Sequence, residues 1–441
     1  MIDFNGTTNG GWPAGSLFSD GTYFYGMTGG GGTHSLGTIF KVMPDGTGYS
    51  KLLDFAGGTN GSFPNGNLIS DGTFLYGLTF YGGISGDGTI FRIKPDGTRD
   101  SVLLNFSGMT NGQYPSGSLI YDGTFLYGVT FQGGANNLGT VFRIKPDGSG
   151  DTTLFTFDGT PNGSKPYGSL ISDGTFLYGM TSQGGTYNDG VVFKIKSDGT
   201  GYSRLLNFAG ATNGSHPAGS LFSDGTFLYG MTTYGGANGM GTAFKLLPNG
   251  TGFTELLDFT GTTNGSFPNG SFISDGTFLY AMTSGGGANN DGTLFKIKSD
   301  GTGYAKMLDF DGATNGSNPD RDLIYDGTFF YGLTLNGGAS DDGTLFRFEE
   351  YPAGIGENNL QTDFYVYPNP SSGKFILKWE EEQRTNADME IYNSLGEKVM
   401  DNKQMINGEF QIDLSDQPNG IYFVNVKTDK ESLIQRIIIS R

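Results

Sequence analysis

The chain contains no cysteine, only two histidines in 441 residues, and few basic side chains. Lacking cysteine, it can form no disulfide, thiolate metal site or thiol nucleophile. His34 and His216 fall in different repeats, so any histidine-based metal site would have to be completed almost wholly by oxygen ligands. No apolar run reaches the roughly 18 residues of a membrane helix, so no transmembrane segment is expected. The 26 Lys and Arg are outnumbered by 44 Asp and Glu, for a net charge of -18. Such an acidic surface disfavours nucleic acid and anionic membranes as partners.

Glycine is abundant, at 78 residues, alongside 36 Phe and 23 Tyr. Their spacing is regular rather than low in complexity. An Asp-Gly-Thr triplet before an aromatic starts at Asp20, Asp71, Asp122, Asp173, Asp224, Asp275 and Asp326, at intervals of 51 residues throughout. Periods of about this length belong to propellers and solenoids. In the third copy, four strand candidates stand at 118–121, 124–130, 140–145 and 152–157. Asp122-Gly123 and Pro146-Asp147-Gly148 give the hairpin turns, because Asp-Gly accepts positive φ. In the second strand, Phe125, Tyr127 and Val129 alternate with Leu126, Gly128 and Thr130, and both faces are largely apolar. A strand sandwiched between two neighbouring sheets needs this pattern. The expected fold is therefore all-β, a seven-bladed β-propeller over residues 1–350. Met1–Phe4 aligns one period before Leu52–Phe55, a fourth strand, and the last repeat lacks its own fourth strand. The N-terminal strand should close the last blade and remove an open sheet edge.

Three periodic features have structural readings. Gly26, Gly77, Gly128, Gly179, Gly230 and Gly332, with Ala281 in the sixth copy, mark a place where a side chain would meet a neighbouring backbone. Asn-Gly steps followed by prolines such as Pro64 and Pro115 shape the crossovers between blades. Lys41, Arg92, Arg143, Lys194, Lys245, Lys296 and Arg347 recur in the third strand, opposite mostly Asp or Asn in the fourth. These bases read as inter-strand or inter-blade contacts, with a cationic ligand ring as the alternative.

The second-to-third loops and the crossovers share one face, which is longer in its loops and more varied than the other. Its side chains include Tyr81, Gln132, Tyr187, Tyr234 and Asn289. Aromatics among amides and acids suit sugar or peptide recognition, although wet loops are polar in any case. In the last repeat Asp320-Arg321-Asp322 breaks the pattern, and Arg321 replaces a glycine found at Gly15, Gly66, Gly117, Gly168, Gly219 and Gly270. This cluster is either a ligand site at the channel mouth or a salt-bridged seam. The ligand-site candidates are thus Arg321, Asp320, Asp322, Tyr81, Tyr187 and Tyr234. No catalytic constellation, cofactor motif or EF-hand-like metal spacing emerges. Acids such as Asp189, Asp291, Asp341 and Asp342 leave a polysaccharide hydrolase or lyase as an alternative to a binding scaffold. A purely structural surface protein is the third reading.

After residue 350 the period stops and glycine thins. Residues 351–362 read as a linker, and 363–441 as a small antiparallel β-sandwich. Phe364-Tyr365-Val366-Tyr367-Pro368-Asn369-Pro370-Ser371-Ser372-Gly373-Lys374-Phe375, Ile391 to Gly396, Pro418-Asn419-Gly420-Ile421-Tyr422 and the Gln435–Ile439 ending resemble the C-terminal sorting domain of the type IX secretion system. The motif positions are Tyr367, Pro368, Asn369, Pro370, Gly373, Gly396, Gly420 and Tyr422. The resemblance implies Sec export, passage across the outer membrane by the type IX machinery, and a secreted or cell-surface product. It also implies an N-terminal signal peptide, expected upstream because Met1 already lies within a repeat-like strand. The repeats, on segments such as Phe74–Thr79, Tyr81-Gly82-Gly83 and Gly88–Phe91, resemble tandem repeats of secreted proteins from Gloeobacter, Verrucomicrobia and Bacteroidetes. That resemblance brings no catalytic residues. An extracellular glycan or protein is the expected ligand.

Overall fold

A computed structural model of the chain describes residues 1–350 and, beyond them, 364–367, 371–379, 388–393, 398–400, 409–427 and 432–439. The expected linker at 351–362 lies outside the described residues, as do Pro368, Asn369, Pro370 and Gly396 of the sorting motif. The chain divides into two compact units, Met1–Glu350 and Tyr351–Arg441.

The first unit consists of seven antiparallel sheets, one per repeat, six of them meandering in sequence order. In blade three the strands are Gln113–Tyr121, Leu126–Gln132, Thr140–Ile144 and Thr152–Thr156. The first strand is longer than the sequence indicates here and in blade two. Elsewhere it shrinks, as in blade five, to Phe222–Ser223. The last blade takes its outer strand from the N-terminus, where Ile2 pairs with Leu345 and Asp3 with Thr344. Phe4 is fully buried at this junction and its N–H donates to the Gly343 carbonyl.

There is no single core. Each pair of adjacent blades encloses its own apolar slab. Between blades two and three, Tyr76, Leu78, Ile90 and Phe106 pack on Leu119, Leu126, Phe142 and Ile144. Tyr127 and Val129, one residue out of phase with Leu126, face blade four instead. The alternation read in the second strand thus assigns one face to each neighbour.

The repeated glycine of that strand is required by a side chain, not by a neighbouring backbone. A Cβ on Gly128 would lie 2.5 Å from Cζ of Phe142 in the adjacent strand of the same blade. In blade six Ala281 takes this position, and Phe272 stands where other blades have leucine. The basic residues of the third strand make the expected inter-strand and inter-blade contacts, with partners that the sequence does not name. None of the seven pairs with the fourth-strand acid. Each sits 4.4–4.8 Å above the aromatic following its own blade's Asp-Gly-Thr turn, as Arg143 does over Phe125 and Lys296 over Phe278. Several also reach a carbonyl in the next blade, such as Arg92 to Pro146 at 3.0 Å and Lys194 to Pro248 at 3.1 Å. Blade seven has no third-to-fourth turn, and there the Glu350 carboxylate takes the carbonyl's place for Lys296. The fourth-strand residues instead hold loop amides: Asp54 accepts from Thr33 and Asn105 from Ile84.

The second unit has a three-stranded sheet (Phe364–Tyr367, Lys374–Trp379, Glu409–Asp413) and a four-stranded sheet (Lys398–Met400, Asp388–Asn393, Gly420–Lys427, Ser432–Ile439). They share a core that includes Phe375, Leu377, Ile391, Tyr422 and Val424. Among the sorting-motif residues, Tyr422 is buried and donates from its hydroxyl to the Pro418 carbonyl at 2.8 Å. Gly373 has φ +109, and its carbonyl accepts from the Leu414 N–H. Tyr367 is exposed, and at Gly420 a Cβ would meet nothing nearer than 3.9 Å. No helix among the described residues is long and apolar enough to cross a membrane.

Candidate functional site

Two rings organise the centre of the propeller. In the first, glycines of successive blades pack backbone against backbone: a Cβ on Gly15 would stand 1.9 Å from the Gly66 carbonyl, and one on Gly168 2.0 Å from that of Gly219. In the second, each blade donates an N–H to a side-chain oxygen of the next. Ser16 donates to Asn67, Asn67 to Ser118, Ser118 to Ser169, Ser169 to Ser220, Ser220 to Ser271 and Ser271 to Asp322. The Asp322 N–H then donates to Oγ of Ser16 at 2.7 Å, which closes the ring. Asp322 is therefore the seventh link of a structural ring.

Arg321 replaces the seventh glycine of the inner ring. Its guanidinium lies 5.8 Å from the Tyr167 ring centroid and 3.7 Å from Asp320. Blades four and seven are not neighbours, so this contact can form only across the central channel, which Arg321 and Tyr167 bridge. Burial alone would lower the Arg321 pKa, but the Asp320 carboxylate and Tyr167 keep it raised. Asp320 also accepts from Asn269 Nδ2 at 2.6 Å, and Asn269 in turn accepts from the Thr233 hydroxyl at 2.7 Å. The acid–base–acid cluster is thus both seam and channel mouth.

The long-loop face carries a feature that the loop residues alone do not reveal. The residue before each repeat's proline, Trp12, Phe63, Tyr114, Lys165, His216, Phe267 or Asn318, has φ between 52° and 58°. This left-handed conformation is unfavourable for bulky side chains, and the residue before proline is normally extended. It is fixed by an N–H bond to the preceding blade's second-to-third loop, as from Phe63 to Leu36 O at 2.9 Å and from Trp12 to Asp342 O at 2.8 Å. The chain uses glycine for most other positive-φ positions, yet at none of these seven. This position varies among six residue types in seven copies, but nothing in the sequence marks its left-handed backbone.

Around this ring the aromatics gather. Tyr81, 43 % exposed, contacts Phe63, Phe80 and Tyr114 with centroids 4.9–5.7 Å apart. Phe80 leads to Phe131 and Phe131 to Tyr167, so an arc of rings runs from blade two to the Arg321 plug. Tyr234 packs between His216 and Phe267 in a second group. Tyr187 stands apart, 63 % exposed in blade four's second-to-third loop. Beside the second group, a cleft of about 360 Å³ opens between blades six and seven, with Phe267, Asn290, Asn318 and Asp320 in its lining. Among the described residues no group of three or more His, Asp or Glu could hold a metal ion.

This architecture defines a closed seven-bladed β-propeller with one loop-rich aromatic face, joined to a separate β-sandwich unit. The chain belongs to the Gloeobacter/Verrucomicrobia repeat family, which matches residues 69–197 and 126–346, and it carries a secretion system C-terminal sorting domain at 365–440. It is a secreted, propeller-shaped surface protein exported through the type IX system. No curated protein matches it in sequence. Among solved structures, the extracellular domain assigned to a one-component system from B. thetaiotaomicron is similar, with 11 % identity and a TM-score of 0.51. That match covers 99 % of this chain and 57 % of the other. A puromycin-hydrolysing peptidase from Mycobacterium tuberculosis matches at 12 % identity and TM-score 0.49, over 85 % of this chain and 61 % of that one. These likenesses concern the fold alone.

Proposed function

We propose that the exported propeller is a non-catalytic binding scaffold that reads glycan or protein with its long-loop face. The carrying observation is the ring of seven left-handed, non-glycine residues. Holding a side chain in that conformation costs about 1–2 kcal/mol where glycine would fit freely. Strain of this kind persists where the projected side chain has a use. Two of the ring members, the exposed Phe63 and the half-buried Tyr114, continue into the Tyr81 arc, and Trp12 is exposed on the same ring. Rings with polar neighbours offer an apolar face beside hydrogen-bonding groups, which suits sugars and peptide side chains. The channel-mouth acids favour binding over hydrolysis, because Asp320 is engaged by Asn269 and Arg321 and Asp322 is a link of the central ring.

The test is a glycan array, paired with capture of purified outer-membrane proteins, on wild type and a Trp12→Ala, Phe63→Ala, Tyr81→Ala variant. Wild type should retain a ligand on one of the two. The variant should lose at least about tenfold in affinity at an unchanged melting temperature, as expected when exposed aromatic anchors are removed. Shortened products from a polysaccharide incubated with the wild type would replace this reading with an enzymatic one.

A further inference from the structure

We infer that the cleft between blades six and seven is a subsite for the terminal, uncharged pyranose of a glycan, with Phe267 as its stacking wall and Asp320 as its hydroxyl acceptor. The inference rests on the binding role proposed above and names the glycan alternative within it.

The cleft exists because of a local departure from the repeat. At the position of Tyr81 in blade two and Tyr234 in blade five, blade six has Gly285. Blade one also has a glycine there, Gly30, but the Trp12 ring covers it so closely that a Cβ would come within 2.5 Å. At Gly285 the nearest Phe267 ring atom would be 3.3 Å away, and the space beside it opens into the cleft of about 360 Å³. That volume lies within the range of small-ligand pockets, which begins at about 300 Å³.

Its chemistry is mixed and electrically balanced. Asp320 replaces the Ala, Asn, Ser or Tyr found at this position in the other blades, so this junction alone presents a carboxylate from the first strand. One oxygen accepts from Asn269 and the other faces Arg321, which leaves further lone pairs for hydroxyl donors. Because Arg321 offsets the charge of Asp320, the cleft itself favours neither ion, and the chain's net charge of -18 repels anions. Asn318 donates one amide hydrogen to Asn336 Oδ1 at 3.1 Å and retains a second. Asn290 accepts from the Gly286 N–H, and its own amide hydrogens have no partner among the described residues. An aromatic wall for the C–H face, a carboxylate for paired hydroxyls and amides as donors form the complement of a neutral pyranose. A chain end fits better than a threaded polymer, since Arg321 and Tyr167 bridge the channel behind Asp320.

Saturation-transfer NMR on the full chain with methyl glucoside, galactoside, mannoside, fucoside and glucuronide tests the assignment. At least one neutral glycoside should bind saturably. Phe267→Ala and the isosteric Asp320→Asn should each weaken it about tenfold or more, the loss of a packed ring or a paired hydrogen bond. Thr226→Ala, in the exposed tight turn at the opposite end of blade five, should leave the affinity unchanged. Phe267→Leu, which retains bulk without a stacking face, stands in if the alanine variant melts early. No saturable binding, preference for the glucuronide, or indifference to both Phe267 and Asp320 substitutions overturns the subsite. If the array is positive and depends on Trp12, Phe63 and Tyr81 while these variants do nothing, only the subsite falls. A blank in both array and protein capture removes the broader reading.

Discussion

At the residue scale, identical repeats make each exception informative. Gly128 has no positive φ to explain it, and its hydrogen is needed because Phe142 lies against it on one side and Leu119 on the other. Gly128→Ala should therefore destabilise the propeller by about 1–3 kcal/mol, the usual penalty of overpacking. The natural sixth copy shows how the same methyl group is accommodated. Where Ala281 stands, Phe272 replaces leucine and its ring centroid lies 6.2 Å from that of Phe295. Ala281→Gly should cost about 1 kcal/mol or less, from a small void and added backbone freedom. Urea melts of the two variants compare the sites directly. Equal effects would mean that the surroundings of the two positions are interchangeable.

At the element scale, the Asp-Gly-Thr turn is the propeller's most regular polar device. In each blade the aspartate accepts two backbone N–H groups with one oxygen and a tyrosine hydroxyl five residues on with the other, as Asp122 does for Thr124, Phe125 and Tyr127. Burial pushes these carboxyls up, but the hydrogen bonds outweigh it and hold them below the usual carboxylate value. Burial and the paired aspartate both push the tyrosines up, to about 12 at Tyr331. The two shifts set opposite limits. The aspartate contribution is present above the unfolded carboxyl pKa of about 4 and is lost as pH falls through the lower folded value. The tyrosine contribution is intact below the unfolded pKa of about 10 and is lost as pH rises towards the folded one. Melting temperature should hold level between these limits and fall beyond both. A value that keeps rising below pH 4 would contradict the acid limb. These turns were legible because Asp-Gly has few conformational uses, and the second strand was legible because apolar residues on both faces imply two neighbours. The third-strand bases were legible as inter-strand or inter-blade contacts but their partners were not, because a cation can choose a ring and a distant carbonyl over a facing acid, and sequence spacing does not rank those choices. Tyr81 and Tyr234 were legible as varied aromatics on the binding face. The left-handed ring beside them was not, since proline normally directs its predecessor to extended backbone.

At the scale of the whole molecule, the propeller is held by closure, and closure is made twice. The inner hydrogen-bonded ring ends with Asp322 donating to Ser16, while the outer edge ends with Ile2 and Asp3 paired to blade seven. Because the core is seven separate slabs, the junction of blades seven and one must supply its own apolar contacts. Phe4 does so beside Phe40, with centroids 5.3 Å apart, in a slab shared with Leu17, Leu333 and Leu345. Phe4→Ala should cost about 3–5 kcal/mol, as for other buried phenylalanines. The same loss at an internal junction, such as Phe106→Ala between blades two and three, removes a comparable ring but leaves the covalent chain bridging the two blades. At the terminal junction no covalent link survives the fraying of residues 1–4. Phe4→Ala should therefore expose the blade-seven edge at Thr344–Glu349 and promote pairing between molecules, whereas Phe106→Ala should only lower the melting temperature. Light scattering during a thermal ramp separates the two behaviours. If both variants remain monomeric up to their transitions, the inner ring alone keeps the propeller shut and the N-terminal strand is an ordinary outer strand.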